Sequence, residues 1–143
     1  MQVHNPAGIN ICAVTNCPYT DGTPPLGSPL TCGIYVTDAA GGYLTNHNNG
    51  AVWRLAATGS GAYQGGNAGS PVPIAMTLDH PIYLPMGSYA LAIYMFGSGI
   101  AYRTGAAVFT NGDLTISAGS SKFGVFSATH TVARRWSGTL HYD

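Results

Sequence analysis

The chain has 143 residues, zero formal net charge and only 7% charged residues, with no glutamate and a single lysine, Lys122. An ordinary domain carries about 25% charged residues, so the composition argues against acid–base catalysis, a basic nucleic-acid surface and an amphipathic basic segment for a membrane surface. Solvation falls instead to 20 Gly, 9 Tyr and many Ser, Thr and Asn, and zero net charge removes the repulsion that keeps copies of a protein apart.

The length suits one domain with a real core, expected over residues 1–143. No apolar run approaches the roughly 18 residues of a spanning helix. The opening Met1-Gln2-Val3-His4-Asn5-Pro6 has neither a charged nor an apolar signal region, so no secretory signal is expected.

The first predicted strand covers 9–15. It carries Cys12 and is followed by Cys17, with Cys32 in the next strand. Three cysteines leave one over if an intrachain pair forms. Small buried thiols, a disulfide of Cys17 with Cys12 or Cys32, and cross-links between subunits all fit the spacing. Zinc does not, because no CxxC occurs and only His4 lies near the cysteines. Residues 17–30 form the longest irregular stretch, stiffened by four prolines, as an arm or lid would be.

The second strand is expected over 31–37, where Cys32, Ile34 and Val36 alternate with Thr31, Gly33, Tyr35 and Thr37. The 38–50 loop follows, with Tyr43, His47 and Asn48 among glycines and asparagines. Further strands are predicted over 51–57, 72–78, 88–96, 100–104, 113–118 and 132–142, each bounded by Gly, Pro or Asn turn signals. The 88–96 strand is apolar on both faces and reads as central. Eight short strands with these turns make an all-β antiparallel sandwich, jelly-roll-like in outline.

Catalytic constellations are weak. Asp79-His80 precede Pro81 and read as a turn, while Asp38 and His47 are the other carboxylate–imidazole pair. The five histidines are dispersed, so neither a metal nor another cofactor is expected. Trp53-Arg54 and Arg135-Trp136 place cations beside indoles; Trp53, Arg135 and Trp136 read as structural core, with an arginine stacked across a strand. The loop aromatics Tyr43 and Tyr63, with His47, Asn48 and Gln64, are the candidate contacts for a neighbouring subunit or a glycan.

The stretch 71–142 runs through Pro71-Val-Pro-Ile-Ala-Met, Pro81-Ile-Tyr-Leu-Pro-Met-Gly-Ser-Tyr-Ala-Leu and Asn111-Gly-Asp-Leu-Thr-Ile-Ser-Ala-Gly to Arg135-Trp-Ser-Gly-Thr-Leu-His-Tyr. This order resembles a β-sandwich domain of secreted bacterial proteins of unknown function, often those with PEP-CTERM-type sorting signals. The resemblance implies a jelly-roll-like fold, no catalytic residues and no established ligand. Signal and sorting tail are both missing, which points to a stand-alone module such as a phage virion protein. The expectation is a non-enzymatic structural protein on a virion surface, a capsid decoration or fibre-type component contacting copies of itself and a capsid or surface-layer protein. The alternative is a secreted carbohydrate-binding or cell-surface adhesion module.

Overall fold

A computed structural model describes residues 1–19, 24–67, 69–117 and 119–143. Its largest element is an antiparallel six-stranded sheet. The chain opens with β1 (Gln2–Val3), β2 (Ile9–Asn16), β3 (Pro18–Tyr19) and β4 (Pro29–Thr37). A short helix α1 (Gly42–Asn46) and a 3-10 turn (Gly50–Val52) lead into β5 (Arg54–Ala62) and β6 (Ile74–Leu84). The run β7 (Gly87–Ser88), β8 (Ala90–Phe96), β9 (Gly99–Ile100) is followed by β10 (Tyr102–Thr104), β11 (Val108–Thr110) and β12 (Leu114–Ser117). The chain closes with β13 (Gly119–Ser121), β14 (Thr131–Trp136) and β15 (Thr139–Tyr142).

The six-stranded order is β15-β2-β6-β5-β4-β8; the smaller sheets are β11-β12-β1-β7, β10-β14-β13 and β3-β9. All pairings are antiparallel. The all-β class expected from the alternation is what forms, and its face assignment holds in β4, where Leu30, Cys32, Ile34 and Val36 are buried. They meet Ile74, Met76, Leu78, Ile82 and Leu84 of β6 in one apolar core. Each such side chain removed from water stabilises the fold by about 1.5–3 kcal/mol.

The large sheet is strongly coiled. Four strand spacings separate β2 from β8, about 19 Å in a flat sheet. Yet Asn16 at the end of β2 donates from Nδ2 to the sulfur of Met95 in β8 at 3.5 Å. Backbone pairing reinforces this closure at both ends. β3, which extends β2, pairs with β9, which extends β8 (Pro18 with Ile100, Tyr19 with Gly99). Beyond the other end, β1 pairs with β7 (Gln2 with Ser88).

Fifteen strands among the described residues replace the eight expected, because several predicted segments divide where the chain changes sheet. The predicted 132–142 strand is β14 and β15, which belong to different sheets. The 51–57 strand begins later, at Arg54, after the 3-10 turn. The expected 38–50 loop contains α1. Within the 17–30 stretch, residues 18–19 are β3 and 29–30 open β4, while 20–23 lie outside the described residues.

Two corrections bear on function. β8 is not central: it is an edge of the six-stranded sheet, paired there with β4 alone. Its apolar residues on both faces reflect an outer face that carries aromatics rather than a second buried layer. Asp79 and His80 are not in a turn but inside β6, at a bulge. Between the pairs Ile11 with Ile82 and Ala13 with Thr77, β2 has one residue and β6 has four. That extra length breaks the strand's alternation and lets adjacent side chains meet, with His80 Nδ1 2.9 Å from Asp79 Oδ1.

Candidate interaction face

Cross-strand register places one continuous row on the outer face of the large sheet: His141, Ala13, Thr77, Ser60, Thr31 and Phe96. Hydroxyls occupy its centre, and an exposed phenyl ring stands at the β8 margin. Beside it, Gly33 lies between Tyr94 and Thr58. A Cβ on Gly33 would come within 3.3 Å of the side chains of Tyr35, Leu55 and Phe96, so glycine is what lets these groups close over the strand. Tyr94 and Phe96 meet edge to face at 5.4 Å. Leu55 and Phe96 remain 53% and 43% exposed, and together with Tyr35 and Tyr94 they form an apolar margin free of charge.

The margin continues into a second cluster. Phe126 meets Tyr35 edge to face at 5.3 Å and lies tilted against Trp53 at 5.4 Å. Trp53 donates from Nε1 to the carbonyl of Asn46 at 2.9 Å, and Asn46 in turn donates to the carbonyls of Ala40 and Gly42. The indole thus fixes the connection between β4 and β5. Beyond it, the imidazoles of His47 and His130 lie 3.9 Å apart. Lys122 Nζ donates to the His47 carbonyl at 2.6 Å and lies 3.0 Å from its Nδ1. Burial, then His130 and Lys122, push the His47 pKa below its ordinary value; burial lowers that of Lys122.

The five predicted contact residues do not make one site. Tyr43, His47 and Asn48 sit on or just after α1, whereas Tyr63 and Gln64 follow the far end of β5, a strand of nine residues and so about 30 Å long. Tyr63 is 2% exposed and donates its hydroxyl to the Gly66 carbonyl at 2.8 Å, so it is a core residue and not a contact. Gln64 is exposed and donates to the Ala62 carbonyl.

Trp136 is partly buried against the core. Trp53 lies outside that core, in the Phe126 cluster, where it ties down the connection between β4 and β5. The stacked arginine is Arg134, 5.0 Å over the Tyr102 ring, while Arg135 is half-buried beside it. All three cysteines are free thiols; Cys12 is exposed, Cys17 and Cys32 are buried. Neither the Cys12–Cys17 nor the Cys17–Cys32 bridge is present. Cys32 points into the core opposite Gly59, and burial pushes its thiol up to about 11.

Asp38 and His47 are not paired. Asp38 lines a cleft of about 150 Å³ with Thr37, Trp53, Arg54 and Tyr89, well below the 300–1,000 Å³ of ordinary ligand pockets. Among the described residues no group of three potential metal ligands gathers, and no helix is long and apolar enough to cross a membrane.

The missed elements are Phe126, Lys122 and His130. Their segment, 122–130, carries no strand period, and only the fold brings it to α1. No protein-family model, no curated protein and no solved structure matches the chain.

Proposed function

We propose that the chain is a non-catalytic structural module that works on an assembled surface by joining copies of itself along the β8 margin. The observation that carries this reading is β8 itself. It is seven residues without a charge, its own Tyr94 and Phe96 meet on the outer face, and Phe96 and the neighbouring Leu55 stand 43% and 53% exposed there. The free side of β8 turns toward the end of β2, where Asn16 reaches Met95, so the contact offered to a second copy is the uncharged outer face beside β8 and not the strand edge. Zero net charge leaves no long-range repulsion between copies. A virion surface, as a capsid decoration or fibre-type protein, is the setting we favour for such a module; the surface of a cell is the alternative.

The test is the native mass of the purified chain, compared with Leu55→Glu and Phe96→Glu. Both residues are largely outside the core, so the fold survives. An oligomer in the wild type that falls to monomer in both variants supports the reading. A wild-type monomer at high concentration, or an oligomer indifferent to both changes, defeats it.

The second reading, a binding module for neutral glycans, is favoured by the Phe96 ring standing in register with the hydroxyls of Thr31 and Ser60. Sugar binding lost in Phe96→Ala, with the oligomeric state unchanged, selects it over self-assembly.

A further inference from the structure

We propose that Lys122, His47 and His130 form an acid-released latch holding the 122–130 segment over the connection between β4 and β5. The proposal is independent of how the β8 margin is used. Three observations carry it.

The first is the set of contacts. The segment reaches its neighbours through Lys122 and His130 on His47, and through Phe126 on Tyr35, Trp53 and Gly50. The second is backbone strain. Phe126 has φ 54°, in the left-handed region, which a bulky residue occupies only when its surroundings compel it. Insertion of its ring between Tyr35 and Trp53 supplies that compulsion. Release of the ring lets the backbone relax, so the closed arrangement is held and not intrinsically preferred.

The third is the charge pattern. His47 Nδ1 accepts from the Lys122 ammonium, which requires a neutral ring with its proton on Nε2. Protonation would turn that acceptor into a donor facing an ammonium 3.0 Å away, with a second, tilted imidazole centred 3.9 Å off. The groups acting on His47 are His130 and Lys122, both from the segment itself. Trp53, Gly50 and Tyr35 are uncharged. Asp38 and Arg54 line the cleft beside Trp53, and among the described residues neither makes an ion pair with the three.

The direction follows from linkage. The closed segment lowers the proton affinity of His47, so the released form binds more protons. The latch is therefore complete above the ordinary histidine range and weakens as pH falls through it.

Two-dimensional NMR of the full chain between pH 7.5 and 5.0 tests this. The expected result is loss of the cross-peaks from the Phe126 ring to Tyr35 and Trp53 on acidification, while those among Ile11, Met76 and Ile34 persist. Lys122→Met gives the decisive signature: His47 titrates at higher pH, yet the Phe126 contacts survive to lower pH. The double variant His47→Phe, His130→Phe keeps two apposed rings that cannot ionise, and its contacts should hold throughout. Wild-type contacts unchanged at pH 5.0 overturn the proposal, as does release that is equally pH-dependent in Lys122→Met.

Discussion

Trp136 donates from its indole Nε1 to Oδ1 of Asn16 at 2.9 Å, across 120 positions of sequence. Asn16 is fully buried, and its Nδ2 is turned to the Met95 sulfur. One amide therefore joins β14, β2 and β8, at the place where the coiled sheet comes nearest to closing on itself. A leucine has the same branching but would leave the indole N–H with no acceptor.

Asn16→Leu should accordingly lower stability by about 1–3 kcal/mol, the cost of stranding a buried donor. Adding Trp136→Phe to it should recover part of that loss, because the stranded group is then gone. A double-mutant cycle from urea unfolding measures the coupling. Additive losses would show that the bond contributes nothing beyond packing.

Gly59 faces Cys32 across the β4–β5 pair, and a Cβ there would lie 2.7 Å from Cys32 Sγ and 3.3 Å from Leu78. Gly59→Ala should therefore destabilise the protein by about 1–3 kcal/mol through overpacking. Cys32→Ala in the same chain removes the sulfur and should return most of the loss. Thermal unfolding of the four combinations checks this; equal losses with and without the sulfur would place the strain elsewhere.

These two contacts mark how far the sequence could be read. The alternation of Cys32, Ile34 and Val36 is a local property, and it shows which way β4 faces. The partner of Asn16 is not local. Trp136 lies in a segment whose apolar period runs on to Tyr142, so nothing in it announces that the chain leaves one sheet for another at Ser137-Gly138. β8 misled for a related reason. Tyr94 and Phe96 look like core residues, but they cover Gly33 on an outer face, and apolar side chains do not distinguish a second buried layer from an aromatic margin. The His47 cluster was half legible: the loop stood out, but Lys122, Phe126 and His130 reach it only through tertiary packing.

The thiols give the last prediction. Cys12 is exposed opposite the β6 bulge, with its thiol donating to the His141 carbonyl at 3.3 Å. Cys17 and Cys32 are buried, and burial raises both thiols, that of Cys32 to about 11. The thiolate is the reacting form, so at pH 8 only about 0.1% of Cys32 is ionised even before access is considered. An aromatic disulfide reagent at pH 8 should therefore release one equivalent quickly from the native protein and two more only on unfolding. Cys12→Ser should abolish the fast phase and leave the slow one. Two fast equivalents would mean that Cys17 or Cys32 is reached in the native state. No fast equivalent, with a thiol count that rises after reduction, would mean that Cys12 joins copies of the chain by an intermolecular disulfide.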